Sequence, residues 1–368
     1  MRLLGWVLLL GVVAMSAACG HRPVHQSPQF RDGQFHNAAP RKQPGGWKSL
    51  KLGWQFLFKD TSRSVPPDAL SVSPLSGDQL QQAAEGSIWR LGHSTVLMKL
   101  NGKFWITDPV FAERASPVQW AGPKRFTPTP ITLEELPPLA AVVLSHDHFD
   151  HLDRDSVVQL AAKTKMFLTP LGVGDLLIGW GIPGNKIQQL DWWQTAEVEG
   201  IQFTATPAQH FSGRSLFAQN PTLWASWSIY TGTHRIFFSG DTGYFDGFAE
   251  IGRRHGPFDL TLLEAGAYDQ LWEGIHMLPE QVMQAHRDLR GDWLLPIHNA
   301  TFDLAFHAWD EPMEKMLSLS AQQGVRLTMP RIGEAVRLDH YQAAQAWWRS
   351  KQSQQPANVA VTATSHAM

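Results

Sequence analysis

The chain holds a single cysteine in 368 residues. A lone thiol forms no intramolecular disulfide, and it cannot build a Cys-rich zinc finger or hold an iron–sulfur cluster. Concentrated positive charge is missing too: no run of five Lys/Arg occurs, and 31 basic against 33 acidic residues leave a net charge of −2. That excludes the basic footprint that nucleic-acid phosphates require. Charged residues make up only 17% and hydrophobic ones 43%, with 24 Pro and 30 Gly. This balance excludes collagen, coiled coil and polytopic membrane protein, and fits a packed, loop-rich globular chain of one large domain or two smaller ones.

The one cysteine is placed where it means something. Arg2 opens the chain, residues 3–15 form an apolar run, and Ser16-Ala17-Ala18 precede Cys19. The run is short for a membrane span and reads as a secretory signal over 1–18. Small residues followed by cysteine resemble a bacterial lipoprotein signal, which implies a lipidated Cys19 as the mature N-terminus. Gly20 is not the Asp associated with inner-membrane retention, so the expected place is the outer membrane, facing the periplasm. Ordinary cleavage would instead leave the chain soluble in the periplasm. Residues 19–85 read as a tether, in which eight Lys/Arg stand against two Asp between 20 and 64. Each basic residue near anionic headgroups contributes about 1 kcal/mol.

From 86 to 349 the pattern changes to short apolar runs bounded by Gly, Pro, Asp and Asn. Strands are expected over 87–91, 95–100, 103–107, 140–145, 201–206, 227–231, 235–239, 260–263 and 293–297. Helices are expected over 155–163, capped by Asp153 or Asp155, and over 279–289 and 313–322. Strands with interspersed helices define an α/β layered domain. Residues 350–368 lack a core pattern and read as a disordered tail.

The sharpest feature is the apolar run 141–144 leading into Ser145-His146-Asp147-His148-Phe149-Asp150-His151. On an extended segment His146 and His148 share a side, and a turn at Phe149 sends Asp150 and His151 to a neighbouring position, so one segment serves two metals. Imidazole and carboxylate without thiolate suit zinc or a similar first-row ion. The remaining ligands are expected at later strand ends, where open α/β sheets place their sites: His210, Asp241 and His298. An ordered His-x-His-x-Asp-His, His, Asp, His series predicts a metal site.

That series resembles the metallo-β-lactamase superfamily, which implies a four-layer αββα sandwich. Flanking segments resemble its N-acyl-phosphatidylethanolamine-hydrolysing phospholipase D branch: 87–95, 107–117, 122–126, 190–193, 240–244, 256–260 and 266–268. The resemblance implies two Zn2+ per chain, one on His146, His148 and His210, the other on Asp150, His151 and His298, with Asp241 bridging. It further implies a water acidified to a pKa of about 7 between them, with Asp150 as its orienting carboxylate. His276 matches a family histidine near the metals and is the other catalytic candidate. Gln209, Tyr268 and Trp272 are candidate substrate contacts, and Trp120, Phe126, Phe211, Phe217 and Trp272 candidate walls of an acyl groove. The implied substrate is a phospholipid, and the implied assembly a homodimer.

Phe149, Asn299-Ala300 and Glu264 depart from the branch pattern, at positions where tyrosine, Trp-Gly and proline are common. They leave every ligand intact. His93, after Gly92, reads as a turn residue between strands. The same hydrolytic chemistry would also serve a lactone, a β-lactam or a soluble cyclic phosphodiester, and a non-catalytic, metal-stabilised binding lipoprotein is the further alternative.

Overall fold

A computed structural model describes residues 26–39, 63–215 and 219–349. Cys19 with its signal, Phe217 and the 350–368 tail lie outside the described residues. Among the described residues no helix is long and apolar enough to cross a membrane.

Two seven-stranded sheets form the body. The first runs β16 (Ala335–Arg337), β3 (Ser87–Gly92), β4 (Thr95–Leu100), β5 (Lys103–Thr107), β6 (Leu139–Val143), β7 (Thr164–Pro170) and β8 (Ile187–Leu190). The second runs β15 (Arg326–Leu327), β14 (Gly291–Ile297), β13 (Phe258–Glu264), β12 (Arg235–Phe238), β11 (Ser226–Tyr230), β10 (Ile201–Thr206) and β9 (Thr195–Val198). In each sheet an antiparallel set joins a parallel one: β5 to β8 are mutually parallel, as are β12 to β15.

Alternation along the strands explains the layers. On β5, Trp105 enters the core between the sheets, while Phe104 and Ile106 face the other way onto a second core. On β6, Ala141 and Val143 point inward and Val142 outward. A strand buried on both faces must read as a continuous apolar run. Helices α2 (Arg154–Leu160) and α3 (Val173–Gly179) cover the outer face of the first sheet through Val157, Leu160, Val173 and Leu177. The outer face of the second carries α4 (Gly247–His255), α5 (Pro279–Asp288) and α6 (Glu311–Gln323) through Ile251, Val282, Met283, Met313 and Met316. The expected αββα sandwich is what forms.

The folded body begins before residue 86, where the sequence pattern placed its start. Strands β1 (Phe30–Arg31) and β2 (Gln34–Phe35) form a hairpin whose Phe35 is buried in the core between the sheets. Helix α1 (Gly77–Gln82), capped at Ser76, buries Leu80 against the outer face of the first sheet. Single apolar side chains anchor these short segments, too few to produce a period in the sequence.

Candidate metal centre

Strand β6 ends at Val143, two residues before its expected limit. The chain turns from His148 onward: the N–H groups of His151 and Leu152 both donate to the His148 carbonyl, at 3.0 and 2.7 Å. The predicted turn around Phe149 is therefore present, and His146 and His148 stand together ahead of it, in a different donor group from Asp150 and His151. His146 presents Nε2 and His148 presents Nδ1, 2.9 Å apart. Arg214 holds the loop's shape, donating to the carbonyls of Asp147 and Leu152 at 2.7 Å and stacking its guanidinium 4.0 Å over the Phe149 ring.

The other candidates arrive from the second sheet. His210 follows β10, Asp241 follows β12 and His298 follows β14, all at one edge. Gly240 lets the chain approach this edge: it has φ +54, and a Cβ there would lie 2.4 Å from the Ser145 Cβ. His298 itself adopts φ +63, a conformation held by its surroundings, as residues at functional sites often are. Arg90 on β3 braces that turn, donating to Asn299 Oδ1 at 2.7 Å and to the Pro296 carbonyl at 3.2 Å.

Three donor groups result, two side by side and a third, of Asp241, Glu264, His276 and His298, overlapping both. In the first, His146, His148, His210 and Asp241 place one ligand atom each within 4.8 Å of one another. In the second, Asp150, His151 and His298 do the same together with His93, which the sequence pattern read only as a turn residue. Asp241 lies between the groups, its Oδ1 3.0 Å from His151 Nε2 and its Oδ2 3.1 Å from His298 Nε2 and 3.8 Å from both His146 Nε2 and His210 Nε2. His151 Nε2 and Asp241 Oδ1 are buried without a hydrogen bond despite their separation, the orphaned pair that a shared cation would satisfy. All-nitrogen-and-oxygen donor sets of this kind suit a divalent first-row metal.

The electrostatics separate the groups. Burial drives the His146 and His210 imidazoles well below the ordinary range, so they present lone pairs at neutral pH. Burial also opposes charge on Asp150 and Asp241, but the surrounding imidazoles, His151 foremost, hold both carboxyls well below the usual carboxylate range. Those carboxylates in turn outweigh burial at His151, raised well above its ordinary value, and at His298, raised to about 10. The second group thus holds protons where a metal would supply positive charge.

Behind the ligands stand residues that sequence patterns did not assign. Asp108, fully buried after β5, accepts from His151 Nδ1 at 2.7 Å and from the Ser145 N–H at 2.7 Å. It is the carboxylate that fixes a ligating imidazole. An Asp-Pro pair closing an apolar strand was the available signal. His210 Nδ1 pairs with the Ile275 carbonyl at 3.1 Å, and His93 Nε2 with Asp150 Oδ2 at 3.0 Å.

His276 lies beside both groups, its ring 5.1 Å from that of His298 and 5.4 Å from that of His210. Glu264, buried at the end of β13, faces His276 Nδ1 at 3.2 Å and accepts from the Met277 N–H at 2.6 Å. The substrate candidates divide. Phe211 packs on the rings of His148 and His210, and Phe126 lines a narrow cleft with His298, Asn299 and Phe302. Gln209 is buried and donates to the Ala39 carbonyl. Tyr268 commits its hydroxyl to Glu311, Trp272 its indole N–H to the Ala267 carbonyl, and Trp120 is 59% exposed. Of these described residues, Phe126 alone lines that cleft.

An αββα sandwich with histidine–carboxylate groups at one sheet edge is the framework of a metal-dependent enzyme. Residues 105–299 match the beta-lactamase superfamily domain. An uncharacterized protein of Mycobacterium tuberculosis is 43% identical over 332 residues, 88% of each chain. N-acyl-phosphatidylethanolamine-hydrolyzing phospholipase D 1 of Caenorhabditis elegans is 34% identical, over 83% of this chain and 93% of that one. Among solved structures, isothiocyanate hydrolase from Delia radicum gut bacteria shares the fold, with a TM-score of 0.55 at 19% identity, over 70% of this chain and all of that one. The chain belongs to the metallo-β-lactamase superfamily and is a metal-dependent hydrolase with phospholipase D-type relatives.

Proposed function

We propose that this hydrolase is a zinc phosphodiesterase that removes a phospholipid headgroup, converting N-acyl-phosphatidylethanolamine to N-acylethanolamine and phosphatidate. The observation that carries the reading is the paired donor arrangement around Asp241, in a chain whose worm relative bears that activity in its name. His146, His148 and His210 would hold one Zn2+, Asp150, His151 and His298 the other, and Asp241 both. When bound, the ions supply Lewis acidity toward the phosphoryl oxygens and acidify water.

The chain's own residues do the rest. Asp150, with one carboxylate oxygen held by His93, orients the attacking water through the other. Water's oxygen bonds to phosphorus, the bond from phosphorus to the ethanolamine oxygen breaks, and the released alkoxide takes the proton that the attacking water gives up, becoming the alcohol. His276, beside the groups and partly exposed, would contact the departing headgroup, with Glu264 fixing its ring. Phe211 and Phe126 offer apolar contact to acyl chains beside the ligands.

Lipidation at Cys19 would hold this pocket against the outer membrane, and two copies would associate as a homodimer. Mass analysis of the mature N-terminus and sedimentation of the purified protein test those two points. The reaction is tested with vesicles of N-acylated and plain phosphatidylethanolamine in 18O-water, beside a soluble lactone and a β-lactam. Phosphatidate carrying the label is expected from the N-acylated lipid. Faster turnover of either soluble compound, with no phosphatidate, refutes the phospholipase assignment.

A further inference from the structure

His210 leaves β10 at a point where no strand pairs with its backbone, so both its N–H and its carbonyl need partners from elsewhere. One side chain supplies both. Asn37 Nδ2 donates to the His210 carbonyl at 2.8 Å, and Asn37 Oδ1 accepts from the His210 N–H at 3.0 Å. The same oxygen accepts from the indole N–H of buried Trp224 at 3.0 Å. A primary amide is suited to this, because it offers a donor and an acceptor side by side.

Asn37 is itself held in register by the hairpin before it. The Phe35 N–H donates to the Asn220 carbonyl at 2.9 Å, Phe35 is buried between the sheets, and Gln209 Nε2 reaches the Ala39 carbonyl at 3.3 Å. Ring and backbone of His210 are therefore fixed from both directions along the sequence: the Ile275 carbonyl sets the ring, and Asn37 sets the main chain that carries it.

We propose that Asn37 is a positioning residue of the metal centre, and that the 26–39 segment completes the first donor group rather than serving only as a tether. A side chain 173 residues away in sequence fixes where the His210 imidazole stands. The proposal depends on the metal site and is independent of the choice of substrate.

Stepwise competition for zinc between the full chain and a chelator tests it, with the visible absorption of the cobalt-loaded protein as a second readout. Asn37→Ala should weaken one binding step about tenfold or more, the scale of outer-partner losses at metal sites, and leave the other step in place. The cobalt bands should shift accordingly. Asn37→Asp keeps the acceptor and loses the donor, so it should fall between wild type and Asn37→Ala. Met316→Ala, a cavity in the core under α6, should lower the melting temperature without changing either step. If Asn37→Ala lowers the melting temperature as Met316→Ala does while both zinc steps stay within twofold of wild type and the cobalt bands are unmoved, Asn37 is a structural staple and the proposal fails.

Discussion

The two donor groups lie on either side of Asp241 yet are built differently. Around the first, the outer contacts are neutral: the Ser145 hydroxyl at His146 Nδ1, the Ile275 carbonyl at His210 Nδ1 and the Asn37 amide. Around the second they are ionisable, with Asp108 behind His151 and His93 beside Asp150. The first group therefore offers neutral imidazoles ready to donate, while the second holds protons that a metal must displace. A symmetrical ligand count conceals an asymmetry in charge.

Removing what lies between the groups should have the largest effect. Asp241→Ala takes a ligand from both groups at once and leaves the His151 and His298 imidazoles without their main carboxylate. Metal content should fall at both sites and hydrolysis by more than the 10–100-fold typical of outer-partner losses. His298→Ala should weaken the second site alone. Metal analysis with a chelator titration checks both, and full activity of His298→Ala with one ion retained would show that the second group is not needed for catalysis.

Acidity should separate the groups next. His298 is raised to about 10 and His151 well above its ordinary value, so at neutral pH the metal-free second group must release protons to bind. Its affinity should rise with pH by about tenfold per unit for each proton displaced, flattening as pH nears the raised values. His146 and His210, pushed low by burial, add no such dependence to the first group at neutral pH. The same shifts act on stability without metal. A raised histidine stabilises the fold fully below its ordinary value of about 6.5, and that contribution is lost as pH climbs toward 10 at His298. Metal titrations at several pH values, alongside melting of the metal-free protein, read the two signs independently.

How much of this was legible in the sequence follows from where the information sits. The seven expected donors converge because they lie on the loops that leave the ends of apolar strands, and such strands show themselves as continuous runs. Three of the missed elements carry mixed signals. Strands β8 and β9 lie at sheet edges and read Ile-Gln-Gln-Leu and Thr-Ala-Glu-Val, too polar for a buried strand. Helix α4 contains Gly247 and Gly252, poor helix formers, and Gly252 is needed where a Cβ would lie 2.1 Å from the Asp288 carbonyl. Asp108, Arg90, Arg214 and Asn37 were hidden for another reason. Each acts through a main-chain group or an imidazole distant in sequence, and a partner of that kind leaves no spacing to read.

Asp108→Asn tests the ionic backing of the second group. The amide keeps the size and one acceptor but loses the charge that favours the His151 Nδ1–H tautomer. Second-site affinity should drop 10–100-fold, with the first site unchanged. Equal losses at both sites would mean that Asp108 acts on the whole loop through Ser145, whose N–H and hydroxyl it also accepts.

The smallest expected effect belongs to His93, and it decides what that residue is. Its Nε2 lies 3.0 Å from Asp150 Oδ2, its carbonyl accepts from the His298 N–H at 3.1 Å, and its Nδ1 has no partner. Burial pushes the imidazole down to about 3, so the ring is neutral. A neutral ring paired with a carboxylate carries its proton on Nε2 and donates it, leaving Nδ1 as an unpaired acceptor, which costs less than a buried N–H without a partner. His93 then steadies Asp150 rather than binding metal. His93→Gln, which can still donate an N–H, should therefore lower second-site affinity by no more than about tenfold, and His93→Leu by more. X-ray absorption of the zinc-loaded protein supplies the deciding count. An unchanged number of imidazoles per zinc in His93→Gln fits the hydrogen-bonding role, whereas the loss of one would make His93 a ligand and give the second group a donor beyond those of the first.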